Sequence, residues 1–357
     1  MRFALSEDQT LLQDSLVRTL ADLSPLDRVR RFADGGETSA PDIWQGLSDL
    51  GLPGLMIGAE YGGLELGLVE AMLAAEALGG VVAPTPFLGS AVLAPLALKL
   101  AGSSEQKARW LPKLAAGEVT AGVAISEPIA GARDGAGVTA AGGRLSGKAM
   151  FALDAAGAGL LIVADRQGGL HLAERASAMA GLPSIDATRP LTELTFADTP
   201  AEPLVSNGAL DRLRDAAWVM LAADTLGAAQ TMLDKAVAYA KERRQFGRVI
   251  GSFQAVKHLC AEMAAELEPA RALVWYAAYA FDHAPDEAPL MAAHAKAHLS
   301  EIGRFIARTS TEVHGGMGMT DLLGLHYWFK RIGQNRQLLG GPERVREWAA
   351  RMQGLAA

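Results

Sequence analysis

One cysteine, Cys260, stands in 357 residues. That excludes a disulfide framework and any zinc or iron–sulfur centre built from several thiolates. Basic excess is also missing: 33 lysines and arginines against 40 aspartates and glutamates leave a net charge of −7. A nucleic-acid partner needs phosphate neutralisation, so this balance argues against one. No apolar run reaches the length of a membrane span; the segment from Val92 to Leu100 is broken by Pro95 and Lys99. The first residues show neither a basic n-region nor an apolar h-region, so no signal peptide is expected and a soluble cytoplasmic protein is. There is no internal repeat and no low-complexity stretch. What remains is ordinary globular composition, half hydrophobic and a fifth charged, long enough for two or three domains with a proper core.

The chain changes texture twice. Residues 1–118 read as helices. Ser6 precedes Leu11, Leu12, Leu16, Val17 and Leu20 as an N-cap; Ile43, Leu47 and Leu50, then Val69, Met72, Leu73, Glu76 and Leu78, give further helical stretches, and Glu105 to Leu114 another. Residues 119–208 are rich in glycine and carry short β-prone runs at Gly122–Ile125, Leu160–Val163, Leu170–Leu172 and Leu194–Phe196. Gly142-Gly143 and Gly168-Gly169 supply turns, which together predict a small antiparallel β domain. Residues 209–357 return to helix: Ala209 to about Lys241, Ser252 to Phe281, Pro289 to Ser310 and Pro342 to Met352, the pattern of a C-terminal helical bundle. Clefts between such parts commonly hold cofactors.

Two segments carry chemistry. The first runs Glu242-Arg243-Arg244-Gln245-Phe246-Gly247-Arg248, then on through Ser252 to Gln254. A helix ends in two arginines, passes a glycine turn and restarts at a capping serine. Guanidiniums beside a helix start suit a pyrophosphate, although a basic helix C-terminus also satisfies the helix dipole by itself. The second is His314-Gly315-Gly316-Met317-Gly318 after a long helix. Such a turn lets backbone approach a ligand closely, or simply ends the helix.

Together with their spacing, these segments resemble the acyl-CoA dehydrogenase family over essentially the whole chain. Trp44, Leu50-Gly51-Leu52, Glu60-Tyr61-Gly62-Gly63 and Ala75-Glu76-Ala77-Leu78-Gly79 are similar to its N-terminal signature. Ala124-Ile125-Ser126-Glu127-Pro128, with Gly131 and Asp134, resembles its β-domain loop over the flavin, and Gly147 to Ala156 the next flavin-facing strand. The resemblance implies an acyl-CoA dehydrogenase-like fold of helical, β and helical-bundle domains. It implies an FAD shared between subunits, an acyl-CoA substrate desaturated at its α and β carbons, and transfer of electrons to an electron-transfer flavoprotein. It places Ala124, Ser126, Phe151, Leu153, Arg243, Gln245, Phe246, Gln254, Glu312, Gly315 and Gly316 at the cofactor. Within that set, Arg243 meets the pyrophosphate of a neighbouring subunit's FAD, Ser126 bonds the flavin ring and Phe151 packs on it.

The catalytic residues cannot be assigned, because the sequence departs from the family where a base is expected. The family's glutamate just before the last helix is Gly340 here, and the alternative position on the helix before the arginine motif is Ala217. Asp215 is nearest, two residues away and about 200° around the helix. A glutamine before the His-Gly-Gly run is Glu312, a flavin-bonding threonine is Leu153, and an arginine of the acyl-CoA-binding helix falls near Trp218. Two readings follow: a dehydrogenase whose base stands elsewhere, or a non-catalytic subunit that completes the FAD site of a paralogous acyl-CoA dehydrogenase. Either implies a homo- or hetero-oligomer. His294 and His298, with Glu301, share a helical face without an evident third ligand, so no metal is expected. Cys260 reads as a small core residue; Trp275, Tyr276 and Tyr279 read as core or subunit interface.

Overall fold

The computed structural model describes residues 4–205 and 208–356; Asn207, at the end of the stretch read as β, lies outside them. The first part is helical: α1 (Glu7–Leu23), α2 (Leu26–Gly35), α3 (Pro41–Ser48), α4 (Leu68–Gly80), α5 (Ala94–Ala101) and α6 (Ser104–Ala115). Ser6 caps α1 in a full capping box with Gln9, as its sequence predicts. A π-helical stretch, Leu88–Leu93, leads into α5.

The middle part is an eight-stranded sheet: β1 (Ala121–Ala124), β2 (Gly137–Ala141), β3 (Arg144–Leu153), β4 (Leu160–Ala164), β5 (Leu170–Ala173), β6 (Ala178–Leu182), β7 (Leu191–Pro200) and β8 (Glu202–Leu204), with the short α7 (Ser126–Ala130) after β1. Its order is β6-β7-β3-β1-β4-β5-β8, with β2 on β3. The expected antiparallel sheet needs one correction: β1 and β4 run parallel, Ala121 opposite Leu160 through Ala124 opposite Val163. Between them the chain passes α7 and the β2–β3 hairpin, and that long excursion permits a parallel return.

The last part contains α8 (Ala209–Glu242), a two-residue hairpin of β9 (Arg244–Gln245) and β10 (Arg248–Val249), α9 (Gln254–His283), α10 (Ala288–His314), α11 (Leu325–Gln337) and α12 (Pro342–Met352). Ser252 does not cap α9. Its hydroxyl donates to the Val249 carbonyl and Phe253 takes the cap position, because the hairpin closes the turn first. No helix among the described residues is long and apolar enough to cross a membrane.

Two features lock the parts together. Helices α4 and α8 cross at glycine: a Cβ on Gly79 would meet the Asp224 carbonyl at 2.0 Å, and one on Gly227 the Glu76 carbonyl at 1.8 Å. Backbones this close exclude any side chain at the crossing. The second feature is Arg331 of α11, with no exposed surface. Its guanidinium donates to Asp186 at 2.6 Å, Asp224 at 3.1 Å, Thr188 Oγ1 at 2.6 Å and the carbonyls of Thr188, Val82 and Ala83. One side chain therefore ties the N-terminal helices, the sheet part and the bundle. Arg189 extends the network to Asp224 and Asn335.

Asp154 follows β3 in a left-handed conformation, φ 53°, and accepts the Gly89 N–H at 2.7 Å. Burial pushes its carboxyl up to about 6, against the opposing pull of that N–H, Arg189 and Arg331. A raised acid favours the folded state only when protonated, so stability from this group falls as pH rises from about 4 to 6. Asparagine keeps the acceptor and tolerates the left-handed backbone. Asp154→Asn is expected to stabilise the chain at pH 7 by about 1–2 kcal/mol, with the gain vanishing near pH 4, as urea denaturation at the two pH values would show.

Candidate active site

The site grows from a bulge in β3. Its register against β7 slips between Ala149 and Ala152, and Phe151 takes φ 56° there. A bulge of this kind re-aims a side chain that strict alternation would send elsewhere. Ser126, first residue of α7, brings its hydroxyl to the Phe151 carbonyl at the long distance of 3.4 Å, which leaves it free for a better partner. Glu127 accepts the Met150 N–H at 2.5 Å and so ties α7 to the bulge; burial pushes its carboxyl up. Arg133 lies over the Phe151 ring at 4.8 Å.

These residues form one wall of a cavity of about 750 Å³. The opposite wall is the end of α11 and the start of α12: Gln334, Gln337, Leu338, Leu339, Gly340, Gly341 and Arg344. Ser126, Phe151 and Gly340, distant in sequence, thus face one space. A second cavity of about 610 Å³ shares Leu339, Gly340, Glu343 and Arg344 with it and is bounded beyond them by Arg214, Trp218 and Trp348. Glu127 and Glu343 are the carboxylates lining the larger cavity. The first is engaged by Met150. The second is held below the usual range by the backbone N–H at the start of α12 and by Arg336.

Ala217 is fully buried, and Gly340 has φ 106°. Asp215, also buried, is bound by its neighbour Arg214 at 2.8 Å and lines neither cavity, in keeping with its place around the helix. Ala124 and Leu153 are packed in the hydrophobic cores and do not line the larger cavity.

The other residues assigned to the cofactor lie elsewhere. Arg243, Gln245, Phe246 and Gln254 are exposed at the α8–α9 connection, Phe246 at 91%. Glu312, Gly315 and Gly316 are exposed at the end of α10. Tyr239 of α8 stacks on His314 with centroids 4.6 Å apart, which sets these two helix ends side by side. His314 is otherwise structural, its Nδ1 bonded to the Ser310 carbonyl. None of these residues lines the cleft of its own chain. Cys260 is half-buried rather than in the core, because α9 leaves much of that face uncovered. Among the described residues no group of three or more His, Cys, Asp or Glu is placed to hold a metal, so His294 and His298 stand without a third ligand.

The residues fit a dinucleotide with a flat ring system. The cleft offers volume, an aromatic face and an underused hydroxyl. The helix ends offer exposed guanidiniums, and glycines whose Cβ positions have nothing within 4 Å. Residues 6–118 match the acyl-CoA dehydrogenase N-terminal domain and residues 211–352 the acyl-CoA dehydrogenase C-terminal domain. Acyl-CoA dehydrogenase IpdE2 of Mycobacterium tuberculosis is 31% identical over 95% of this chain and 95% of its own. The acryloyl-CoA reductase (NADH) of Anaerotignum propionicum is 30% identical over 89% and 87%. Among solved structures, a Tcur3481-Tcur3483 steroid acyl-CoA dehydrogenase variant superposes with a TM-score of 0.88 at 29% identity, covering 98% of both chains. The chain belongs to the acyl-CoA dehydrogenase family. It is an oxidoreductase of that type, and the reaction of that type is the FAD-dependent dehydrogenation of an acyl-CoA.

Proposed function

We propose that this chain holds the isoalloxazine of FAD in the cleft between the β3 bulge and the α11–α12 turn, and there takes part in desaturating an acyl-CoA thioester. The observation that carries the reading is the convergence of Ser126, Phe151 and Gly340 on one cavity. The bound flavin supplies the two-electron acceptor for the hydride leaving the β carbon. Ser126 orients the ring through its hydroxyl, Phe151 covers one face, and Glu127 holds the bulge that presents Phe151. Leu339 and Gly340 form the wall against which the thioester lies. Arg243, Gln245, Phe246, Gln254, Gly315 and Gly316 serve the dinucleotide half from a second chain, because they are exposed and lie away from their own cleft. Glu312 is also exposed, at the same helix end as Gly315 and Gly316.

The second reading, a subunit without its own proton acceptor, is favoured by Gly340 and Ala217 together with the engagement of both carboxylates of the larger cavity. The acceptor then comes from a paralogous subunit, as the paired naming of the related steroid enzyme suggests. An electron-transfer flavoprotein is the proposed electron acceptor and the cytoplasm the proposed location.

FAD titration of the purified oligomer tests the cofactor placement. Arg243→Ala is expected to weaken FAD by roughly 1.5–3 kcal/mol, the value of a charge-assisted contact to phosphate. Unchanged affinity in the intact oligomer would remove Arg243 from the site.

A further inference from the structure

The two cavities of the cleft meet at one backbone strap, and that strap is strained. Leu339 has φ 55° and Gly340 φ 106°. A leucine in the left-handed region is strained, so the surrounding structure must hold it in place. Trp218 provides the hold. Its indole N–H donates to the Leu339 carbonyl at 2.9 Å, a buried bond spanning 121 residues.

The indole is itself clamped. Its ring meets Trp348 of α12 edge-on, with centroids 5.3 Å apart and planes at 81°. The Arg214 guanidinium lies 5.1 Å from one ring and 4.0 Å from the other. Asp211 at 2.6 Å and Asp215 at 2.8 Å fix that guanidinium in turn. An aromatic and cationic cluster of this kind joins α8 to α12 across the strap and leaves the indole N–H a single direction.

We propose that Trp218 is a positioning residue: it holds the Leu339–Gly340 strap so that the two cavities form one path for an acyl thioester. The proposal rests on the acyl-CoA reading of the cleft. Trp218→Phe retains an aromatic ring against Trp348 and Arg214 and removes the donor.

The test compares wild type, Trp218→Phe and Trp348→Phe as FAD-loaded oligomers. Backbone hydrogen exchange across residues 337–341 is read alongside FAD affinity and the binding of a non-reactive thioether analogue of acyl-CoA. The expected result for Trp218→Phe is strap exchange faster by about ten-fold and analogue binding weaker by a similar factor, as loss of one buried hydrogen bond implies, with FAD affinity unchanged. Trp348→Phe keeps the indole–carbonyl bond and is expected to leave strap exchange as it is. Unchanged strap exchange in Trp218→Phe overturns the proposal. So does exchange that rises uniformly over the chain, or a loosened strap with undiminished analogue binding, since each marks a purely structural tryptophan. Wild type that binds FAD but no analogue would instead overturn the acyl-CoA reading of the cleft.

Discussion

Gly340→Glu should accelerate flavin reduction by acyl-CoA in the partner-free chain by about two orders of magnitude, the lower end of what a positioned general base contributes. Position 340 borders both cavities, and a Cβ there would make only ordinary contacts, 3.6 Å to Val345 and 3.9 Å to Arg344. Space is therefore available, but the backbone is not ideal. With φ at 106°, an L side chain is strained by about 1–3 kcal/mol, so the variant is expected to unfold at lower urea. That cost falls on stability; the gain falls on the barrier. Gly340→Gln has the same shape and strain without a proton acceptor, and its reduction rate should stay at the wild-type level. Stopped-flow absorbance of the flavin band with a panel of acyl-CoAs separates the three proteins.

Arg331→Met should cost about 3–5 kcal/mol of stability, because it leaves buried carboxylates without part of their counter-charge. Asp186 loses its guanidinium partner outright, while Asp224 keeps Arg189. Burial raises the Asp224 carboxyl, but Arg189 and Arg331 outweigh it and hold it below the ordinary aspartate range. A depressed carboxylate contributes fully above its unfolded pKa and loses that contribution as pH falls through its folded value. The gap between wild type and Arg331→Met should therefore be widest near neutrality and narrow below about pH 4, the ordinary aspartate value. Urea midpoints across that range are the check. Equal stability at pH 7 would mean that the network joining the three parts is not what holds them.

The parts of the fold that were legible in the sequence are those whose buried face is apolar. The long α8, α9 and α10 show helical spacing of Leu, Met and Val, and α12 has the expected bounds. Helix α11 went unread because its buried face is mixed: Arg331, Gln334 and Asn335 interrupt the apolar period that Leu325, Trp328 and Ile332 would otherwise mark. Strand β6 has four of its five residues exposed, and β2 is mostly glycine and alanine, so neither alternates. The same limit governs the site. Ser126, Phe151 and position 340 each stood out through resemblance, but only the bulge in β3 and the turn after α11 bring them to one cavity. Glu127 as the residue holding the bulge and Trp218 as the partner of Leu339 had no local signal, since both act through backbone groups far along the chain.

The central claim is that the cleft is built for a flavin and an acyl thioester but that neither familiar base position in this chain carries a carboxylate. Single-turnover reduction of the FAD-loaded, partner-free oligomer tests it most directly. The account predicts that acyl-CoAs perturb the flavin spectrum while bleaching it slowly or not at all, with Gly340→Glu faster by about two orders of magnitude. Rapid bleaching by the unmodified chain, left unchanged by Gly340→Glu, would contradict it and place a working base elsewhere in the cleft.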